Sequence, residues 1–314
     1  MSHFLDPQTL AELGDLPLIA KRLATGYLQG EHASVLRGNG IEFNQYRAYE
    51  PGDDLAKLDW KLFARSDKYF VRQAERESDI KIHFIVDASA SMSMTGPVEK
   101  TANSRFATAA TQPSKPFQTG LSKHLYAKFL TATLAYLAHQ QGDSIALSVC
   151  NSEQQRHTGM ANTQRHLQRV LIALEQSQCA GHLPLQWHHD SGAIIGANMI
   201  IVITDFAQQN NEIIEFIESL VGRHREVVVF QLQSQAESEF DYQGLIRFVD
   251  PETGRDKVLN GDQVKQQYLS NRRAYLKQVQ TRLLNAGVSF QACFIEQPLD
   301  HSLRQFLTNR MKMR

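Results

Sequence analysis

Cysteine is scarce: the 314 residues hold three, Cys150, Cys179 and Cys293, far apart and without a C-x-x-C pair. Odd in number and scattered, they argue against a disulfide framework and for a reducing compartment. A surplus of either charge is missing as well, since Lys plus Arg and Asp plus Glu both count 33. Chains that grip nucleic acid or anionic membranes usually carry a basic excess, so neither partner is expected. No apolar run reaches the ~20 residues that span a bilayer. The opening residues MSHFLDPQTL lack a charged start followed by an apolar core, so no secretory signal is expected and a cytoplasmic location follows. Two common enzyme motifs are absent too, the G-x-S-x-G elbow and the G-x-x-x-x-G-K-[ST] phosphate loop.

What the chain does have is a run of short apolar segments, each ending abruptly in polar residues. Within KIHFIVDASASMSM, residues 81–94, Ile82, Phe84, Ile85 and Val86 read as a strand buried on both faces. Asp87, Ser89 and Ser91 follow it on alternate positions, separated by alanines small enough for a tight loop. Residues 199–203, MIIVI, form a second such strand, which delivers Thr204 and Asp205 at its end. In an open α/β sheet, ligands gather beyond the carboxyl ends of the strands. Oxygen donors of this number and kind suit a hard divalent cation, foremost Mg²⁺, with Mn²⁺ or Ca²⁺ as alternatives.

At these residues the sequence resembles the von Willebrand factor type A domains and their metal-ion-dependent adhesion site. The resemblance implies that Asp87, Ser89, Ser91 and Asp205 hold the ion, and that an acidic side chain of a partner completes its coordination. That family also draws a threonine from the loop before the second carboxylate strand. Between Cys179 and Ile203 there is no threonine, and Ser191 is the only hydroxyl. Beside it, His182, His188, His189 and Asp190 lack zinc-site spacing and read as a solvated loop.

A second resemblance lies upstream. Arg37-Gly38-x-Gly40-x-Glu42-Phe43, then Arg47-x-Tyr49-x-x-Gly52-Asp53-Asp54, then Asp59-Trp60 and Ala64-Arg65 are similar to the signature of the bacterial family called domain of unknown function 58. The likeness runs through nearly the whole chain. It implies a von Willebrand A-like domain after the signature and a MoxR-type AAA+ ATPase as partner, the client being unspecified. Arg37, Arg47, Arg65 and Arg72 nearly balance Glu42, Asp53, Asp54 and Asp59, so a structural network of paired charges is favoured there over a contact surface or phosphate site.

The remaining pattern alternates strands and helices. Asp6-Pro7 and the leucines after it predict a helix or a broken pair around Pro17. Strands are expected at 41–49 and 69–71, with a short helix about Leu55, Leu58 and Leu62 between them. Residues 95–120, rich in Thr, Ala, Ser, Pro and Gln, read as a flexible insertion. Ser122 and Thr163 are placed to cap helices, the first with one apolar face. Strands are expected at 145–149 and 227–232, with a helix at about 211–221 between the second carboxylate and 227. A strand at 245–250 should lie at a sheet edge. A helix at 262–285 is ended by Gly287, and a strand at 288–295 precedes a helix at 299–312.

The expected fold is therefore α/β: a von Willebrand factor A-like, Rossmann-like, mostly parallel sheet with helices on both faces over 79–314, and a small β-containing subdomain over 1–78. The expected function is non-enzymatic: an adaptor joining a MoxR-type ATPase to a client in chaperone-like assembly. The competing class is a metal-dependent phosphatase or nuclease using the same carboxylates. Phosphatases of the haloacid dehalogenase type need a second aspartate two residues after the first, and here that position is Ser89.

Overall fold

The computed structural model describes residues 15–29, 45–48, 70–73, 80–95, 121–183, 194, 196–207, 211–240 and 242–312. Expectations for the Asp6-Pro7 helix start, for the helix about Leu55, for the insertion beyond Thr95, and for Ser191 and His188 to Asp190 lie outside them. The chain clusters into two compact units, one from Ile80 onward together with residues up to Ala24, the other Thr25–Asp79.

In the smaller unit, β1 (Gln45–Ala48) and β2 (Phe70–Gln73) pair antiparallel, with Arg47 opposite Val71. The larger unit includes residues 16–24 of α1 (Leu16–Gln29). Pro17 is the second residue of this helix and does not break it, because a proline in the first turn gives up an N–H that has no partner there anyway. Asp15 accepts the Leu18 amide at 3.1 Å, and Leu16, Ile19 and Leu23 are buried.

Six strands make the main sheet: β3 (Lys81–Asp87), β4 (Ser144–Cys150), β5 (Gln155–His157), β6 (Met199–Thr204), β7 (Glu226–Gln233) and β10 (Ser289–Phe294). Their order is β10-β7-β6-β3-β4-β5, parallel throughout except for β5. Numbered by appearance within the sheet, this is the doubly wound order 3-2-1-4-5-6, whose direction of build reverses between β3 and β6. It is the von Willebrand A-like, Rossmann-like arrangement that was expected.

The inner strands β3, β4, β6 and β7 are buried along nearly their whole length and mostly apolar, because both faces of the sheet are covered there. Ile85, Ile200, Val202, Val227 and Val229 pack with Ile213, Ile214 and Ile217 of α4 (Glu212–Ser219) and with Val279 and Leu283 of α6 (Gly261–Asn285). Alternate residues, Phe84, Val86, Ile201, Ile203 and Phe230, point the other way and are equally buried. On that side Phe230 meets Phe306 of α7 (Leu299–Lys312) edge to face at 5.3 Å. Tyr126 of α2 (Lys123–Gln140) is hydrogen-bonded to Ser302 of α7 at 2.9 Å.

Helix α2 departs from the single apolar face expected of it. It is buried on nearly every side, and Thr131 and Thr133 survive there by donating to the carbonyls of Ala127 and Phe129. Ser122 and Thr163 cap α2 and α3 (Gln164–Glu175) as expected, and Gly287 ends α6 at φ 83°.

One strand is elsewhere than foreseen. β8 (Leu245–Val249) does not join the sheet edge but pairs antiparallel with β9 (Asp256–Asn260) as a separate hairpin. The sheet's edges are β10 and β5, the latter with three residues, too few for a periodic signal. Hairpin residue Phe248 stacks on Phe240, which follows α5 (Gln235–Glu239), so aromatic packing outside the sheet holds this segment.

Candidate functional site

The switch in strand order puts the tips of β3 and β6 side by side. Their register sets Val86 against Ile203, so Asp87 comes abreast of Thr204. The chain then leaves β3 through Ala88 and Ser89 into one 3-10 turn, Ala90–Ser93. Asp87 Oδ1 accepts the Ser89 amide at 2.8 Å, and Oδ2 accepts the Thr204 hydroxyl at 2.7 Å. The Ser89 and Ser91 hydroxyls are 3.0 Å apart, and Ser91 Oγ donates to Asp205 Oδ1 at 3.3 Å. Asp205 Oδ1 also takes the Ala207 amide at 3.0 Å, a turn closed by Phe206 in the left-handed region at φ 54°. A phenylalanine at that φ is strained, and its ring is buried within reach of Phe290.

All four residues singled out in the sequence are thus buried in one hydrogen-bonded cluster. Burial first, and the neighbouring Asp205 second, push the Asp87 carboxyl up to about 6, against the pull of its hydrogen bonds from Ser89 and Thr204. Among the described residues, no cationic side chain appears among the partners of Asp87.

Three residues at the site were not foreseen in these roles. Thr204 was noted only as the residue before Asp205, yet it ties the two strand tips together. Lys123, the first residue of α2, is 1% exposed and reaches Asp205 Oδ2 at 2.9 Å and Glu237 Oε1 at 2.5 Å. Glu237 belongs to α5, where its other oxygen accepts the Ser234 amide at 3.0 Å in a capping box and meets Arg272 at 3.5 Å. Burial lowers the affinity of Lys123 for its proton, but Asp205 and Glu237 outweigh it and hold the ammonium above its ordinary range. A signal was present: a lysine in the first turn of a helix opposes the macrodipole, which implies an anion nearby.

The third loop at the site runs through Gln178–Leu183. It is stitched to the turn after β3 by two backbone bonds, Ala180 N–H to Ala88 at 3.0 Å and Ala90 N–H to Gly181 at 2.8 Å. Cys179 stands in this loop, half-buried. Burial, then the charge of Asp87, push its thiol up to about 12. Behind it, the Lys128 ammonium donates to the carbonyls of Glu175 and Ser177 at the end of α3. His182 of the same loop is exposed.

The donor set fits a hard divalent cation. Two carboxylates and two hydroxyls converge from two strand tips, and Asp87 carries a charge that no described side chain neutralises. The fit is not complete, because Lys123 already supplies one positive charge to Asp205.

The model of the family described as "Protein of unknown function DUF58" matches residues 45–115 and 106–280. Uncharacterized protein Rv1480 of Mycobacterium tuberculosis is 37% identical over 87 residues, 28% of this chain. The match covers only 27% of that relative's own length, and the same holds for uncharacterized protein Mb1516 of Mycobacterium bovis. Among solved structures, the conserved hypothetical protein BatB from Bacteroides thetaiotaomicron is 12% identical, with a TM-score of 0.39 over 75% of this chain and 100% of its own. A von Willebrand factor type A protein from Catenulispora acidiphila is 14% identical, with a TM-score of 0.34 over 61% of this chain and 42% of its own.

Proposed function

The chain belongs to the DUF58 family, and from that premise we propose that it is a non-enzymatic, cytoplasmic interaction protein with an ion-dependent docking site. Asp87, Ser89, Ser91 and Asp205 hold Mg²⁺, or another divalent cation such as Mn²⁺ or Ca²⁺, beside an acidic side chain of the partner. When bound, the cation supplies a fixed double positive charge that accepts a further carboxylate oxygen. The partner carried over from the family resemblance is a MoxR-type AAA+ ATPase, which the chain links to a client in chaperone-like assembly. One observation carries this reading: the four side chains share one hydrogen-bonded cluster at the switch in strand order.

The residues divide the work. Thr204 and the Ser89 amide fix the orientation of the Asp87 carboxylate. Ser91 spans from Ser89 to Asp205, so it sets the distance between the two halves of the site. Asp87 is a poor candidate for a hydrolytic nucleophile, since both its oxygens accept hydrogen bonds and it is buried.

Calorimetric titration of Mg²⁺ into the full chain should give binding that Asp205→Ala abolishes. Pull-down of the ATPase should fail in EDTA and with Asp205→Ala, and phosphatase and nuclease assays with Mg²⁺ should show no turnover. Turnover that disappears in Asp87→Ala would overturn the reading in favour of a hydrolase.

A further inference from the structure

Asp205 is claimed from two sides. Its Oδ1 accepts from Ser91 and the Ala207 amide, and its Oδ2 accepts from Lys123 at 2.9 Å. The ammonium lies between Asp205 and Glu237 and is 1% exposed. Its location is unfavourable on local grounds, because the amino end of a helix repels positive charge. A buried ammonium is also costly unless paired, and two carboxylates pair this one. Lys123 therefore stands where the paired aspartates need positive charge, which is the office a metal would fill.

We propose that Lys123 is the resident counter-ion of Asp205 and sets how tightly the site takes a divalent cation, ammonium and metal competing for one carboxylate. This rests on the reading of Asp87, Ser89, Ser91 and Asp205 as the ion-binding set. Two cations on the two oxygens of one buried carboxylate repel each other strongly where water is excluded. Glu237 gives Lys123 a second seat, itself held in place by Arg272 and the Ser234 amide. Removing the ammonium leaves Asp87 and Asp205 uncompensated, so the metal-free fold loses stability while the ion-bound form gains. Weakening the second seat confines Lys123 to Asp205, with the opposite effect on the ion.

The test is titration of Mn²⁺ and Mg²⁺ into the full chain, read by calorimetry and by thermal unfolding. Lys123→Met should melt below the wild type without metal, bind the ion about tenfold more tightly or better, and gain correspondingly more stability from it. Glu237→Gln should bind several-fold more weakly, on the order of half a decade. Lys128→Met removes a nearby ammonium that donates, among the described residues, to the carbonyls of Glu175 and Ser177, and it should change affinity by less than about twofold. Binding by the wild type with no tightening in Lys123→Met overturns this inference and leaves the docking site standing. Absence of binding in the wild type and every variant overturns both. Binding by Lys123→Met alone supports the competition and assigns the wild-type site to the ammonium. Should Lys123→Met not fold in any condition, Glu237→Gln decides, and unchanged or tighter binding there overturns the inference.

Discussion

Thr204 donates its hydroxyl to Asp87 at 2.7 Å, a bond that spans 117 residues and joins the tips of the two strands where the sheet reverses its order. Both residues are buried, and the acceptor is a carboxylate, which makes the bond of the stronger kind. Thr204→Val keeps the shape and removes the donor. It should cost at least about 1–3 kcal/mol of unfolding free energy, because a buried carboxylate oxygen loses its partner. Thr204→Ser should recover most of that. Urea denaturation of the metal-free proteins measures both, and a neutral Thr204→Val would mean that the strand tips are held together in some other way.

A second prediction concerns pH. His124 is buried against Ser177, whose hydroxyl lies 2.9 Å from Nε2. Burial first, then Lys128, push this imidazole down to about 4 from an ordinary 6.5. The folded form thus resists a proton that the unfolded chain accepts. The stability contributed by the neutral ring is complete above about pH 6.5 and drains away as pH falls toward 4. The stability advantage of wild type over His124→Gln should shrink on acidification across that window, by about 1.4 kcal/mol for each pH unit in its steepest part. Denaturation curves at several pH values would show it, and an advantage independent of pH would contradict a ring kept neutral by the fold.

Thiol reactivity gives a third. Cys150 and Cys293 are buried and Cys179 is half-buried, all three free. The Cys179 thiol is held up at about 12 by burial and by Asp87. At mildly alkaline pH no cysteine of the native chain should react at the rate of a free thiol, and all three should react on unfolding. Cys179 should be the first to label, and Asp87→Asn should speed it by removing a nearby negative charge. Fast labelling of native Cys150 would be inconsistent with its place on the inner strand β4.

The fourth concerns Gly181, whose carbonyl receives the Ala90 amide. Its φ of 52° lies in the left-handed region, and a Cβ there would lie 1.9 Å from the Ser152 hydroxyl. Gly181→Ala should cost about 1–2 kcal/mol for the backbone alone, with a further cost for the collision. Adding Ser152→Ala should return the collision part and leave the backbone part. Full recovery in the double variant would show that the left-handed conformation carries no cost.

Local chemistry dictated much of this molecule. A strand covered on both faces must be apolar at nearly every position, so Ile82 to Val86, broken only by His83, and Met199 to Ile203 announce themselves without any knowledge of their neighbours. Helix caps are equally local, as Ser122 and Thr163 show, since the side chain bonds an amide three residues away. The alternate spacing of Asp87, Ser89 and Ser91 after an apolar run was legible for the same reason. The hairpin β8-β9 was misplaced because a strand pattern names no partner, and aromatic contacts from Phe240 and Tyr242 drew it away from the sheet.

Which strand tips meet was decided only by the folded topology. A residue pattern states burial and turn chemistry over a few positions, whereas neighbours across a sheet follow from the order in which crossovers lay the strands down. Lys123 illustrates this best: 82 residues separate it from Asp205, and nothing within its own helix names the carboxylate it pairs with. Its misfit at a helix start implied an anion. Only the reversal of strand order between β3 and β6 brought that anion within 2.9 Å.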